Sequence, residues 1–287
     1  CSAVSIMLLV SQLSSIISEY ISYLPAGLAA AIASIGIEDF KYASIWKDEF
    51  VGTLLMIFFT FSPGKWVGVD NEYFAWVCHA IGVVAADKIG GGQHVNPTVS
   101  VTMYSLGKCS FSEMYVRICG AIAGGLVAFP LFLKFSDSLS LNALGGPAFD
   151  AETSSDEDFD MAFLSEFLAA FILLIAIYFL NWEVNFGAQH YWIKQTLTAV
   201  VIRYLIVVFP AAGPAINPML GTSWAVFDSG AASLPTDTAH YVIYWVASIL
   251  GGIASAIVYV IYAGGTVFGK SIALGPIKST AETSSSK

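Results

Sequence analysis

The chain is 287 residues long, 56% hydrophobic and only 11% charged. A soluble domain carries about a quarter charged residues, so this composition excludes one. The formal net charge of −9 argues against nucleic acid or an anionic membrane surface as partner.

Ala3 to Ile37 holds one charge, Glu19, and Pro25 divides it. The piece before Pro25 is just long enough to span a bilayer, which needs about 20 residues. Its scattered Ser and Gln suit an interfacial helix equally well. Residues 1–44 therefore read as an N-terminal apolar segment, either interfacial or a further crossing. A further crossing would place residue 1 on the outer face.

Six main apolar spans follow, at 46–64, 74–88, 111–134, 161–181, 194–210 and 239–262. They form a body over 45–262 with two similar halves, 45–134 and 161–262. Glu49-Phe50-Val51-Gly52 opens the first half and Glu166-Phe167-Leu168-Ala169 the second. Gly120-Ala121-Ile122-Ala123-Gly124 and Gly252-Ile253-Ala254-Ser255-Ala256 mark their third spans. Three crossings per half force the halves into opposite orientations, which is an inverted repeat. Seven of the 21 acids lie between Asp137 and Asp160 in the loop between the halves, the usual look of a solvated loop. Residues 263–287 form a C-terminal tail, polar and expected to be disordered from Ser279.

Nine of the 12 Lys and Arg residues fall on the side of both ends of the six-span body. Lys65 and Lys134 fall opposite, and Arg203 lies within the fifth span. The positive-inside rule then turns both ends toward the cytoplasm or its equivalent.

Between the second and third spans stands His94-Val95-Asn96-Pro97-Thr98. Between the fifth and sixth stands Ala215-Ile216-Asn217-Pro218-Met219. Asn-Pro favours a helix start, with Asn as N-cap and Pro at the first helical position. Each is followed by about three turns of sequence, too short to span. One such element alone would be a plain helix cap. Two, equivalently placed in an inverted repeat, point to half-helices whose N-termini meet near the membrane centre. There the partial positive charge of each terminus disfavours cations, while Asn amides serve a neutral lone pair. A water held by both amides would point its hydrogens outward both ways and break a proton wire.

With those residues on the page, the chain over about 45–262 resembles the aquaporin, or major intrinsic protein, family. Gly92-Gln93-His94-Val95-Asn96-Pro97-Thr98 is similar to the family's first signature and Gly213-Pro214-Ala215-Ile216-Asn217-Pro218 to its second. The resemblance implies an all-α membrane protein with six transmembrane helices and two re-entrant half-helices, assembled as a homotetramer. It implies that Glu49 and Glu166 brace the pore loops by accepting backbone N–H bonds. It places the usual constriction at Trp76, Leu205, Pro214 and Leu220. Three departures stand out. Thr98 and Met219 replace the family's usual Ala, and Leu220 replaces the Arg of most water channels. A filter without a fixed cation selects mainly by size, a pattern closer to the family's unorthodox intracellular branch, the super-aquaporins and small intrinsic proteins. Pro214 occupies the family's mercury-sensitive Cys position.

Arg203 has three readings: a stand-in for the missing Arg, a snorkelling charge, or a partner for another membrane protein. His94 reads as a loop-bracing donor, and Asp87 and Lys88 as mouth residues solvating one another. Cys1, Cys78, Cys109 and Cys119 lack metal spacing and read as free thiols. No cofactor motif or catalytic constellation is seen, so an enzyme is not expected. The function expected is passive passage of water or a small neutral solute such as glycerol, urea or hydrogen peroxide. The alternative is a structural subunit of a larger membrane complex, its pore filled by Met219 and Leu220.

Overall fold

The structure is a computed structural model that describes residues 40–60, 71–138, 146–147, 149–150, 152–229 and 234–278. The expectations for residues 1–37, Lys65, the start of the inter-half loop and the tail from Ser279 lie outside them. Among the described residues eight α-helices follow in order. They are α1 (Phe40–Thr60), α2 (Glu72–Gly90), α3 (Pro97–Ser105), α4 (Phe111–Ser138), α5 (Asp156–Tyr178), α6 (His190–Val208), α7 (Pro218–Asp228) and α8 (Thr238–Ala263). A π-helical turn, Phe179–Glu183, extends α5, and another, Val242–Ala247, lies within α8. The six long helices match the six spans in place. Helices α4, α5, α6 and α8 are long and apolar enough to cross a membrane. Helices α1 and α2 are diluted by Lys47, Asp48 and Glu49 and by Glu72, Asp87 and Lys88.

Local chemistry sets several helix ends. Asn71 caps α2, accepting from Phe74 N at 3.2 Å, and Gly91 ends it at φ 87°, a left-handed conformation that glycine adopts freely. Ser155 and Asp158 form a reciprocal capping box at the start of α5. Asp237 caps α8 through Ala239 N at 2.9 Å.

Packing repeats across the halves. Gly124 of α4 faces the Phe50 carbonyl of α1, and Gly251 of α8 faces the Phe167 carbonyl of α5. A Cβ at either glycine would collide with that carbonyl, so these sites let the helices cross closely. The equivalence therefore runs from Gly124 to Gly251, five residues off the pairing suggested by the sequence, which set Gly124 against Ala256. Each half-helix also packs on the opposite half: α3 on α8, and α7 on α4. After α8 the chain makes a two-stranded antiparallel hairpin, β1 (Thr266–Val267) and β2 (Lys270–Ser271). Phe268 N then donates to Ser105 O at 2.7 Å, and Ile277 N to Ile261 O at 3.0 Å. Part of the tail, 264–278, is thus folded back on the helical body.

Candidate functional site

Helices α3 and α7 begin at the two Asn-Pro elements. Asn96 Oδ1 accepts from Thr98 N at 2.9 Å, and Asn217 Oδ1 from Met219 N at 3.1 Å. Pro97 and Pro218 fill the first helical positions, where no N–H is lost. The amide nitrogens cross to the other half. Asn96 Nδ2 donates to Ile216 O and Asn217 Nδ2 to Val95 O, both at 2.9 Å. The two N-termini are therefore tied head to head. Each amide keeps its second N–H.

Val95 and Ile216 occupy the left-handed region, at φ 50° and 52°. β-Branched residues there are strained, at a cost of about 1–3 kcal/mol each. What holds them is a carboxylate behind each loop. Glu49 accepts from His94 N at 2.7 Å and Val95 N at 2.8 Å. Glu166 accepts from Ala215 N at 2.7 Å and Ile216 N at 2.9 Å. Both carboxylates are fully buried. His94 Nδ1 also lies 3.0 Å from Ser100 Oγ.

The two carboxylates differ in their third partner. Arg117 Nη1 of α4 donates to Glu49 at 2.6 Å and its Nη2 to Glu113 at 2.9 Å. In the second half Ser248 Oγ donates to Glu166 at 3.1 Å, and no cation reaches it among the described residues. Sequence reasoning gives Arg117 no place in the site; its i,i+4 spacing from Glu113 is the one local signal it carries.

Asn96 and Asn217 lie at the inner end of a cavity of about 450 Å³. Asp87, Asn181, Tyr191, Lys194 and Gln195 supply polar lining, and Val83, Leu173, Ile177, Ile202 and Leu220 apolar lining. Tyr191 Oη donates to Asp87 at 2.7 Å and Lys194 Nζ to Asn181 Oδ1 at 2.6 Å. The sequence pairing of Asp87 with Lys88 is not what forms: successive helical residues point about 100° apart. Asp87 turns to the cavity, and Lys88 lies outside over the Tyr191 and Trp192 rings at 4.9 and 5.8 Å.

Of the four expected constriction residues, Leu220 lines this cavity. Leu205 is wholly buried in a cluster with Val99, Leu173 and Ile216. Trp76 lines a groove on the outside of α2 instead. Pro214 is half-buried and off the cavity wall. Counting offsets through a span fails here because one position is about 100° of rotation. Arg203 is half-buried, likewise off this wall, with Nε unpaired.

Thr98 and Met219 are both fully buried and turn away from the cavity. Each meets a glycine of the opposite half: Thr98 faces Gly252 and the Met219 sulfur faces Gly125. The larger side chain is accommodated behind the pore loop and packs with Ile57, Ala121, Phe129 and Trp224.

An all-α membrane fold with two half-helices joined at Asn-Pro defines the class, an integral membrane protein of aquaporin-like architecture. An aquaglyceroporin structure from Plasmodium falciparum superposes with a TM-score of 0.59 at 16% identity, covering 76% of this chain and 95% of that one. The family model for major intrinsic protein matches residues 39–259. The chain belongs to the major intrinsic protein family, whose members are channels and not enzymes. Among similar proteins are aquaglycerol porin AQY3 of Saccharomyces cerevisiae, 27% identical over 75% of this chain, and aquaporin Z of Bradyrhizobium diazoefficiens, 23% identical over 58% of it. The matches span 36% of the yeast protein and 68% of the bacterial one.

Proposed function

We propose that the chain is a passive channel for water and small neutral solutes of glycerol size, with Asn96 and Asn217 as its midplane contact. The observation that carries this reading is the reciprocal amide bonding, which puts two spare N–H groups into one cavity. A passing oxygen accepts from both, whereas a cation meets two helix N-termini and no oxygen cage to replace its water. The names of the yeast relative and the structural neighbour, aquaglycerol porin and aquaglyceroporin, favour a pore that takes glycerol as well as water. Leu220 in the cavity wall supports selection by size. The body sits with both ends on the cytoplasmic-equivalent side and assembles as a homotetramer with one pore per subunit.

The structural-subunit reading fills the pore with Met219 and Leu220. Leu220 does line the cavity, but Met219 faces Gly125 instead, which favours the channel. Osmotic swelling of proteoliposomes tests the proposal. Water and glycerol flux above empty vesicles is expected, with a sharp loss for Asn96→Asp plus Asn217→Asp, whose carboxylates would face the Ile216 and Val95 carbonyls. Wild-type flux equal to that of empty vesicles would leave the structural-subunit reading in its place.

A further inference from the structure

The returning segment 264–278 is bonded to α3, to α8 and to the turn that follows α5. Phe268 N donates at 2.7 Å to the carbonyl of Ser105, the last residue of α3. Helix α3 lines the pore cavity through Val99 and Met103. Ile277 N and Lys278 N donate to Ile261 O and Tyr262 O of α8, at 3.0 and 2.9 Å. Lys278 Nζ then pairs with Glu183, in the π-helical turn after α5. Gly275 permits this close approach. It has φ 94°, and a Cβ there would collide with the Ile261 carbonyl.

The turn that Lys278 reaches is part of the cavity wall. Asn181 and Trp182 line the cavity, and Glu183 is the next residue on. The Trp182 ring stacks on Tyr178 at 5.2 Å, with Lys108 Nζ over its face at 5.0 Å. Asn181 accepts from Lys194, itself a cavity-lining residue of α6. The Glu183 side chain is only 8% exposed, and its carboxylate accepts from Tyr259 Oη and Lys278. A buried carboxylate that loses its cation is strongly destabilised and gains by finding another. Lys194, already in contact with this turn, is that other cation, and it stands at the cavity.

We propose that residues 264–278 form a strap that keeps this end of the cavity open, with Lys278 and Gly275 as its positioning residues. Docked, the strap holds the Glu183 carboxylate at Lys278 and leaves Trp182 flat against Tyr178. Released, the carboxylate turns to Lys194 and carries Trp182 across the opening. Loss of the Lys278 charge is the change that releases it. The strap rests on the channel reading for its effect on flux, whereas the width of the mouth can be read without transport.

The test is labelling of Gln195→Cys, a cavity-lining position, by a water-soluble maleimide in the full chain, followed by mass spectrometry of that peptide. Lys278→Gln should slow the labelling at least about threefold, because it leaves a buried carboxylate unpaired. Gly275→Ala, which lifts the strap with both charged residues in place, should slow it likewise. Lys278→Arg keeps the cation and should keep the parent rate. Glu183→Gln added to Lys278→Gln should restore that rate, since no carboxylate remains to turn inward. An unchanged rate in folded Lys278→Gln and Gly275→Ala would overturn the proposal, as would a double variant as slow as the single one. Water flux should follow the labelling rate across these variants. A wild type without flux would count against the channel reading, while the labelling rates still decide the strap.

Discussion

The Met219 sulfur occupies the space that a side chain at Gly125 would need, so the second half-helix is seated by a pair of residues from opposite halves. A Cβ at position 125 would also press on Ser223 Oγ. Gly125→Ala should therefore overpack the site and destabilise the protein by about 1–3 kcal/mol. Met219→Ala should leave a cavity costing about 2–5 kcal/mol. In the double variant the two errors partly cancel, and its loss should be smaller than the sum. Because Met219 points away from the pore, water flux per folded molecule should stay within about twofold in Met219→Ala, whose buried cost is one of packing alone. A several-fold rise in flux would identify Met219 as an occluding residue after all. Denaturation midpoints and stopped-flow swelling of the same preparations give both readings.

The unequal third partners of Glu49 and Glu166 set the second prediction. Glutamine at either position offers one acceptor where two backbone N–H groups converge, leaving one N–H facing an amide donor. An unsatisfied buried donor costs about 1–3 kcal/mol. Glu49→Gln also strips Arg117 of its buried carboxylate, and breaking such a pair costs about 3–5 kcal/mol. Glu49→Gln should thus lower stability more than Glu166→Gln. Arg117→Gln should fall close to Glu49→Gln if the pair carries the difference. Thermal unfolding of the purified variants ranks them, and the reverse order would remove Arg117 from the account.

Much of this site could be read from the residues, and for a stated reason. Asn-Pro, paired glutamates and half-helix length are local signals that survive without tertiary knowledge, and Asn96, Asn217, Glu49 and Glu166 all depend on them. The reciprocal bonds to Val95 and Ile216 carbonyls are not local. They exist because the halves meet head to head, more than a hundred residues apart in the chain. Trp76 and Leu205 show the other limit. Their placement relies on rotation about a helix, and neither neighbouring motif fixes that rotation. Lys88 shows the same limit, being adjacent to Asp87 in sequence and on a different face in space.

Cys109 gives a chemical prediction outside the spans. It lies in the connection between α3 and α4, and its sulfur is 3.9 Å from the Ser100 carbonyl. Burial, and then the Glu113 carboxylate, push its thiol up to about 11. The thiolate is the reactive form, so a raised value leaves it scarce at neutral pH. Maleimide at pH 7 should label Cys109 far more slowly than an exposed thiol, and the rate should climb as pH rises past the ordinary thiol value of 9.0 toward about 11. Removing the acid with Glu113→Gln should bring labelling to lower pH. Mass spectrometry of the labelled peptide reads each case; fast labelling at pH 7 would contradict the burial of this sulfur.

Leu220 carries the last prediction, because it alone of the four expected constriction residues reaches the cavity wall. As leucine it offers no donor to an alcohol and no charge to a cation, so the proposed channel would admit a solute by size. Leu220→Arg adds a fixed cation beside Asn217, and its guanidinium fork also narrows the passage. Water is small enough to pass and gains a donor; glycerol loses width. The ratio of glycerol to water flux should fall by at least about tenfold, a differential barrier of roughly 1.4 kcal/mol. Leu220→Met, close in volume and uncharged, should leave the ratio near that of the wild type. Parallel swelling assays with glycerol and with an impermeant osmolyte measure the two fluxes on one preparation. If Leu220→Arg leaves their ratio untouched, the selecting constriction lies elsewhere along the pore, and Leu220 is only part of its wall.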